Sequence, residues 1–369
     1  MKINIIIPTY EPSYKEVKGS QKLKEFYLKN FQSWIDLSKE NSSDLIKVIF
    51  SDFKSSKDFL DYIIKPVVEK NKSVIAIFGE HKLSSTEALN IGLSFDKKAD
   101  IYIYAASDTK IHKGWIRNLY LELSENQSST ILFTTSLIGS SEAVDQVQKS
   151  YINKPAKILS IEEQPIPNVV ILRSSLLKAY DYKIGNTTTQ DLGFSLTWLA
   201  LSLGSLRCLS YRLFIEHDFF TSKGRHNRSG EDSYGSKFTK KNYQKIRNAS
   251  KYIHLFEGYK PPSFKKFNLI SSIKKTAKLK QRSNLIIRIN IFLVFLIPTI
   301  IQDIYYSTIL PFHFSMISKL GFFNYVFQRK SAERKIGRFI MLNQEKRINL
   351  CKKIFFQNGY SINYKIYKR

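Results

Sequence analysis

With 369 residues, 43% of them hydrophobic and 14% aromatic, the chain can bury a substantial core, which excludes a disordered chain. Its two cysteines, Cys208 and Cys351, are far apart and show no ligand spacing, which excludes a disulfide framework and a cysteine-based zinc site. The net charge of +27 is unevenly placed: residues 1–220 hold 27 Lys+Arg against 25 Asp+Glu, and residues 221–369 hold 31 against 6. The expected division is a near-neutral domain over 1–220 and a basic region over 221–369. The basic region points to an anionic partner: a membrane surface, nucleic acid or a phosphorylated substrate.

Ile3 to Ile7 reads as a first strand, closed by Pro8 and followed by Thr9, Tyr10 and Glu11. The apolar run is too short for a signal peptide and no small-residue cleavage site follows, so the expectation is a cytoplasmic protein. Residues 20–40 place Leu23, Phe26, Tyr27, Phe31, Trp34 and Ile35 near helical spacing. Leu45 to Phe50 is a second strand ending at Ser51-Asp52. A helix from Ser56 to Lys70 follows, with Pro66 placed to bend it. Val74 to Phe78 is a third strand. Ser84 and Glu87 have capping-box spacing and start a helix. Ile101 to Tyr104 is a buried strand, and Asp108 follows it. Thr130 to Leu137, Asn168 to Arg173 and Leu206 to Ile215 complete the strands, with a helix over Leu192–Leu203 that Gly204 ends. Strands alternating with helices predict an α/β fold with a mostly parallel sheet covered on both faces.

Open α/β sheets hold ligands at the carboxyl ends of their strands, so acids there are candidates for metal or ligand binding. Asp52 and Asp108 stand at such ends, Asp191 precedes a helix, and His217 follows the last strand. Each has a plainer reading. Asp52 suits a turn, Asp108 a turn or helix cap, Asp191 an N-cap, His217 an exposed loop, and Tyr10 packing at a strand end.

Several stretches together resemble the nucleotide-sugar glycosyltransferases of family 2, which have the GT-A fold. Ile5-Ile6-Ile7-Pro8-Thr9-Tyr10 is similar to the family's opening strand and turn, and Val48-Ile49-Phe50-Ser51-Asp52 to its second strand and acid. Glu87-Ala88-Leu89-Asn90-Ile91-Gly92 is similar to its Ala-x-Asn-x-Gly helix. Ala106-Ser107-Asp108-Thr109 is similar to its Asp-x-Asp region, and Gly114-Trp115-Ile116 to the Gly-Trp-Leu after that region. Gln190-Asp191-Leu192-Gly193 is similar to its acidic pair before a helix. The resemblance spans about residues 1–220. It implies a GT-A-type, Rossmann-like sheet and an inverting transfer of sugar from a nucleotide-diphosphate donor to a hydroxyl acceptor.

Carried to this chain, the resemblance implies that Thr9, Tyr10, Glu11, Asp52, Asn90, Ser107 and Asp108 bind the donor, with Asp52 accepting from the base. It implies a divalent metal, Mn or Mg, on Asp108, with His217 near it and His226 as a competing choice. It implies Asp191 as general base. Two positions depart from the pattern: Ala106 stands for the first aspartate of Asp-x-Asp, and Gln190 for the glutamate before the base. Asp108 is left as that motif's lone carboxylate.

The region 221–369 is expected to be mainly helical. Basic positions such as Lys265, Lys266, Lys274 and Lys275 precede the apolar stretch 289–310, which Arg288, Pro298 and Asp303 interrupt. The clean run is short of the roughly 20 residues a span needs, so a helix lying in the interface of an anionic membrane is expected. A helix packed on the domain is the plainer reading. The acceptor would then be a glycan or a lipid-linked glycan in surface polysaccharide synthesis. The alternative functions are an anion- or nucleic-acid-binding protein and a GT-A-like protein without activity.

Overall fold

The computed structural model describes residues 1–11, 20–40, 45–137, 146–147, 154–159, 165, 167–185, 192–217, 342–356 and 362–369. All of them belong to one compact unit built from Met1–His254 and Ile340–Arg369; Leu255–Phe339 form a second unit that contains none of them. The parallel heart of the sheet is β1 (Ile3–Thr9), β2 (Ile46–Phe53), β3 (Val74–Gly79) and β4 (Ile101–Ala105), in the order β3-β2-β1-β4. β1 and β4 are buried at every position, which is why they read as near-continuous apolar runs. The chain steps outward from β1 to β2 to β3, then crosses back to the other side of β1. The strand order therefore reverses between β1 and β4, and such a switch point opens a crevice at the carboxyl ends of the strands.

The crossovers are α1 (Ser20–Glu40), then α2 (Lys57–Phe59) and α3 (Lys65–Lys70) joined by a π-helical turn at Leu60–Ile64, then α4 (Ser85–Phe95). The bend expected at Pro66 is taken up by that turn, in which the Lys65 N–H donates to the Leu60 carbonyl. A proline cannot donate and crowds the carbonyl four residues back, so the helix widens just before it. β1 alternates between two helices. Ile3, Ile5 and Ile7 join the cluster under Tyr27, Phe31 and Trp34 of α1, whereas Ile6 meets α4. A Cβ on Gly92 of α4 would lie 2.5 Å from Ile6 Cγ2, so the helix approaches the strand more closely than an alanine allows.

Past β4 the chain forms β5 (Thr109–Lys110), α5 (Trp115–Glu125), β6 (Ser129–Leu137), β7 (Gln146–Val147), β8 (Lys157–Ile158), β9 (Val169–Arg173), α6 (Ser174–Ala179), α7 (Leu192–Leu203) and β10 (Leu206–His217). β9 inserts antiparallel between β4 and β6, and β10 runs parallel to β6. The expected α/β, mostly parallel sheet is therefore observed: β1, β2, β3, β4, β6 and β10 share one direction. α5 is capped by Gly114 in the left-handed conformation (φ 83°), so Asp108 does not cap it and the turn reading of Asp108 stands.

The end of the chain returns to this sheet. α8 (Gln344–Phe355) lies on α7, and β11 (Tyr364–Lys368) pairs antiparallel with β3 at the sheet edge. Within the region 221–369, these residues thus complete the sheet that begins at β1. Burial pushes the Cys351 thiol of α8 up to about 12, so it stays protonated and donates to the Trp198 carbonyl of α7. The apolar stretch 289–310 lies outside the described residues. Among the described residues, no helix is long and apolar enough to cross a membrane.

Two predictions come from the packing. Gly92→Ala pushes α4 against the β-branched Ile6 and costs about 1–3 kcal/mol, read from the urea midpoint. Glu122 of α5 is fully buried, and burial outweighs Ser210 and Arg212 to raise its carboxyl above the ordinary range. Its ionisation therefore lowers stability as pH rises from the ordinary carboxylate range toward the raised native value. Glu122→Gln is expected to raise the midpoint at pH 7, a gain that shrinks as pH falls to 4.

Candidate functional site

β1 and β2 end side by side, with Thr9 paired to Asp52 in register. The Thr9 hydroxyl donates to Asp52 Oδ2 at 2.6 Å, the Ser55 hydroxyl donates to the same oxygen at 2.6 Å, and the Ser55 N–H donates to Oδ1 at 3.1 Å. The Ser55 hydroxyl in turn accepts from the Glu11 N–H at 2.8 Å, and the Glu11 carbonyl accepts from the Ser56 N–H at 2.9 Å. Asp52 is only 1% exposed, so this is a buried knot that ties the turn after β1 to the turn after β2. Lys54, between them, is held at φ 80°, a left-handed conformation that is costly for a residue with a Cβ.

Beside this knot lies an open cleft of about 420 Å³, solvent included. Thr9, Tyr10 and Phe53 form its sheet side, and Lys82, Ser84 and Ser85 its helix side. The Lys82 ammonium lies 5.3 Å from the centre of the Tyr10 ring, within cation–π range. Ser84 caps α4 in the reciprocal box expected from its spacing: its hydroxyl accepts from the Glu87 N–H, and its own N–H donates to the Glu87 carboxylate. The first-turn N–H groups of Ser85 and Thr86 have no acceptor within the helix. A lysine, a helix N-terminus and an aromatic ring around one cleft suit an anionic group attached to a planar one.

Asp108 stands in the turn after β4, half-buried, where the Ala106 carbonyl accepts from both the N–H and the hydroxyl of Thr109. It shares the carboxyl edge of the sheet with Thr9 and Asp52, though it does not line the cleft described above. β10 brings His217 opposite Thr109, the residue after Asp108. The same strand pair is bridged by Glu216, whose carboxylate meets Lys110 Nζ at 3.1 Å and lies 3.2 Å from His112 Nε2. Among the described residues no three His, Cys, Asp or Glu gather as a metal cluster. The His217 side chain, His226, Gln190 and Asp191 lie outside what is described; α7 begins at Leu192, one residue past Asp191.

Two residues expected in the donor pocket hold other partners, and a third is buried. Glu11 is 2% exposed, and its carboxylate accepts from the Tyr27 hydroxyl of α1 at 2.9 Å, so it braces the knot from below. Asn90 donates to the Gly185 carbonyl at 2.9 Å and accepts from the Ile184 N–H at 2.8 Å, so both ends of its amide hold the backbone before Asp191. Ser107 is buried at 4% exposure. Asp52, expected to accept from a base, is buried and already accepts three hydrogen bonds from Thr9 and Ser55. Lys82 was not singled out in the sequence; its signal is a lone basic residue two positions before a helix cap, which many lysines share.

No protein-family model matches the chain, and no curated protein sequence matches it. Among solved structures it is similar to S. aureus TarS 1–349 in complex with UDP-GlcNAc, with 13% identity and a TM-score of 0.48 over 76% of this chain and 72% of that one. It is also similar to the same TarS fragment alone, with 12% identity and a TM-score of 0.47 over 92% of each chain. The likeness to the fragment in complex with UDP has 12% identity and a TM-score of 0.47 over 100% and 97%. At this identity the likeness assigns no residue and no activity to this chain.

The knot generates a stability prediction. Asp52→Ala leaves two hydroxyls and an N–H without their shared acceptor and is expected to cost about 1–3 kcal/mol. Thr9→Val removes one of these bonds and costs about 1 kcal/mol. Equal losses in urea unfolding would show that the carboxylate is not the centre of the network.

Proposed function

We propose that this protein is a nucleotide-sugar glycosyltransferase that inverts the transferred sugar. The observation that carries the reading is the cleft at the carboxyl ends of β1 and β2, where a lysine, an aromatic ring and a helix N-terminus stand together. The nucleoside diphosphate of the donor occupies that cleft. Tyr10 offers its face to the planar base, and Lys82 and the first turn of α4 attract the negative diphosphate. Asp52 and Ser55 present the Pro8–Tyr10 turn to the ligand by holding Thr9.

The residues present suit a divalent cation. Asp108 is a half-buried carboxylate on the same carboxyl edge of the sheet as the cleft, and magnesium takes one or two carboxylates and completes its shell with water and substrate phosphate oxygens. Asp108 would hold it, with His217 beside Thr109 as a second donor. When bound, such an ion supplies Lewis-acid stabilisation of charge on the departing diphosphate.

The acceptor hydroxyl oxygen attacks the anomeric carbon opposite the diphosphate. The new carbon–oxygen bond forms as the bond to the diphosphate oxygen breaks, and that electron pair leaves with the nucleoside diphosphate. The hydroxyl proton passes to the carboxylate of Asp191, the general base. One base suffices for a single displacement. The acceptor is a glycan or lipid-linked glycan at the cytoplasmic face of an anionic membrane; the support is the basic composition of 221–369 and the apolar stretch 289–310. A nucleotide-binding protein without transfer is the second reading, favoured by Ala106 at the first position of the Asp-x-Asp pattern.

The test is a thermal-shift series with UDP, GDP and dTDP, each with and without manganese. One of them is expected to raise the melting temperature, since a bound nucleotide stabilises by mass action. Lys82→Ala should weaken that shift. Asp191→Asn should retain it and lose turnover of the matching nucleotide sugar. No shift with any nucleotide overturns the proposal, and binding without wild-type turnover selects the second reading.

A further inference from the structure

β11 is the outer strand of the sheet, and among the described residues it pairs only with β3. An edge strand offers unpaired backbone groups to whatever lies beside it. Its side chains alternate between the two faces. Tyr367 turns toward the helix face, where its ring lies 6.1 Å from that of Phe78 and its hydroxyl donates to Glu69 of α3. Tyr364 and Ile366 belong to the opposite face. They are 44% and 49% exposed, although Ile366 pairs with the fully buried Ile77.

The edge is also basic. Lys365 and Lys368 of β11 and Arg369 after it are all exposed. Lys368 pairs with Ile75 near the start of β3, and the exposed Lys70 and Lys72 lead into that start. Of the acids nearby, Glu69 is held by the Tyr367 hydroxyl and Asp61 by Lys65, while Glu80 stands past the other end of β3.

This pattern selects among partners. A second copy pairing along β11 brings the lysines of both edges to one seam, and like charges facing each other destabilise a strand pair. Lysines on an edge also oppose the addition of strands in general. What fits is a surface that is negative, that takes apolar side chains just beneath its charges, and that needs no strand pairing. An anionic lipid bilayer has these properties. Its headgroups attract lysine and arginine, and tyrosine and isoleucine side chains settle at the boundary below. The unpaired backbone of β11 sets the depth: it must stay hydrated, so the strand rests among the headgroups and only side-chain ends go deeper.

We propose that the β11 edge is the surface through which this unit lies on an anionic membrane, with Tyr364 and Ile366 at the lipid boundary and Lys365, Lys368 and Arg369 on the headgroups. The proposal deepens the reading above by naming the surface, and its consequence for the acceptor rests on that reading. Strands stand about 4.8 Å apart, so the end of β2 at the cleft lies about 10 Å from the edge strand. The cleft therefore sits side-on to the membrane, close enough for an acceptor carried on lipid.

The test uses the full-length chain with an environment-sensitive fluorophore on Ile366→Cys. Cys208 and Cys351 are 1% and 0% exposed, so the label goes to position 366. The control carries the label on Ile158→Cys of β8, an exposed position beside β10 at the far side of the sheet. With vesicles of phosphatidylglycerol and phosphatidylcholine, emission from 366 is expected to shift to the blue and emission from 158 to stay unchanged. The shift should be absent with pure phosphatidylcholine and should fade as salt rises. Lys365→Glu with Lys368→Glu should lower partitioning to the anionic vesicles at least about tenfold, with the thermal midpoint unchanged. A label at 366 that stays in water, an equal shift with neutral vesicles, or unchanged partitioning of the charge-reversed variant overturns the proposal. So does a shift that grows with protein concentration and needs no vesicles, which marks a second copy, or a shift with polyglutamate alone, which marks an acidic protein partner. The nucleotide thermal-shift series is independent of this readout. Its failure removes the glycosyltransferase reading and leaves the lipid contact, and a silent label at 366 removes the contact and leaves that reading.

Discussion

A buried carboxylate at the end of β2 governs this sheet edge. Asp52 receives the Thr9 hydroxyl from the neighbouring strand and both the hydroxyl and the N–H of Ser55 from its own turn. In water each of these groups would find solvent. At 1% exposure, each bond is instead part of a fixed arrangement in which losing one partner strands the others. The consequence is geometric. The turns after two parallel strands cannot move independently, and the cleft between them and α4 keeps its shape before any ligand arrives, which limits the ordering cost of binding.

The same constraint explains the helix that closes the cleft. In α4, three positions of the stretch from Ala88 to Gly92 have distinct structural duties. The Ala88 carbonyl accepts from the Ser51 hydroxyl of β2, Asn90 reaches out to the backbone at 184–185, and Gly92 leaves room for Ile6. One helix thus registers itself against β1 and β2 while gripping a segment about 95 residues further along the chain. The pattern Ala-x-Asn-x-Gly has a packing and backbone hydrogen-bonding role at each of its three fixed positions.

Different parts of the chain support the two halves of the sheet. The donor side is built by the first hundred or so residues, through parallel pairing of β1, β2 and β4. The region of α6, α7 and α8 is held instead by aromatic stacking and by side chains that donate to α7 carbonyls. The antiparallel pairing of β5 with the end of β10 places His217 opposite Thr109, next to Asp108 in the chain, with Glu216 bonded to Lys110.

Much of the fold was legible in the sequence because it is written in local pattern. The apolar runs of β1 to β4, the spacing of Leu23, Tyr27, Phe31 and Trp34 in α1, the capping box at Ser84 and Glu87, and the span of α7 all follow from neighbours within a few residues. Local pattern also placed Thr9, Asp52 and Asp108 at strand ends. It could not say where their side chains point. That Glu11 turns inward to Tyr27, that Asn90 clamps Gly185 and that Asp52 is engaged by Thr9 and Ser55 depends on partners 16 to 95 residues away, or on a turn closed by a neighbouring strand. The antiparallel entry of β9 and the return of β11 and α8 were equally hidden, because a short apolar strand carries no mark of which neighbour it joins. The sequence alone determined which elements form, since helix and strand periodicity are local. Only the tertiary structure decided which polar groups are free to meet a ligand, because that depends on which hydrogen bonds the assembled fold has already taken.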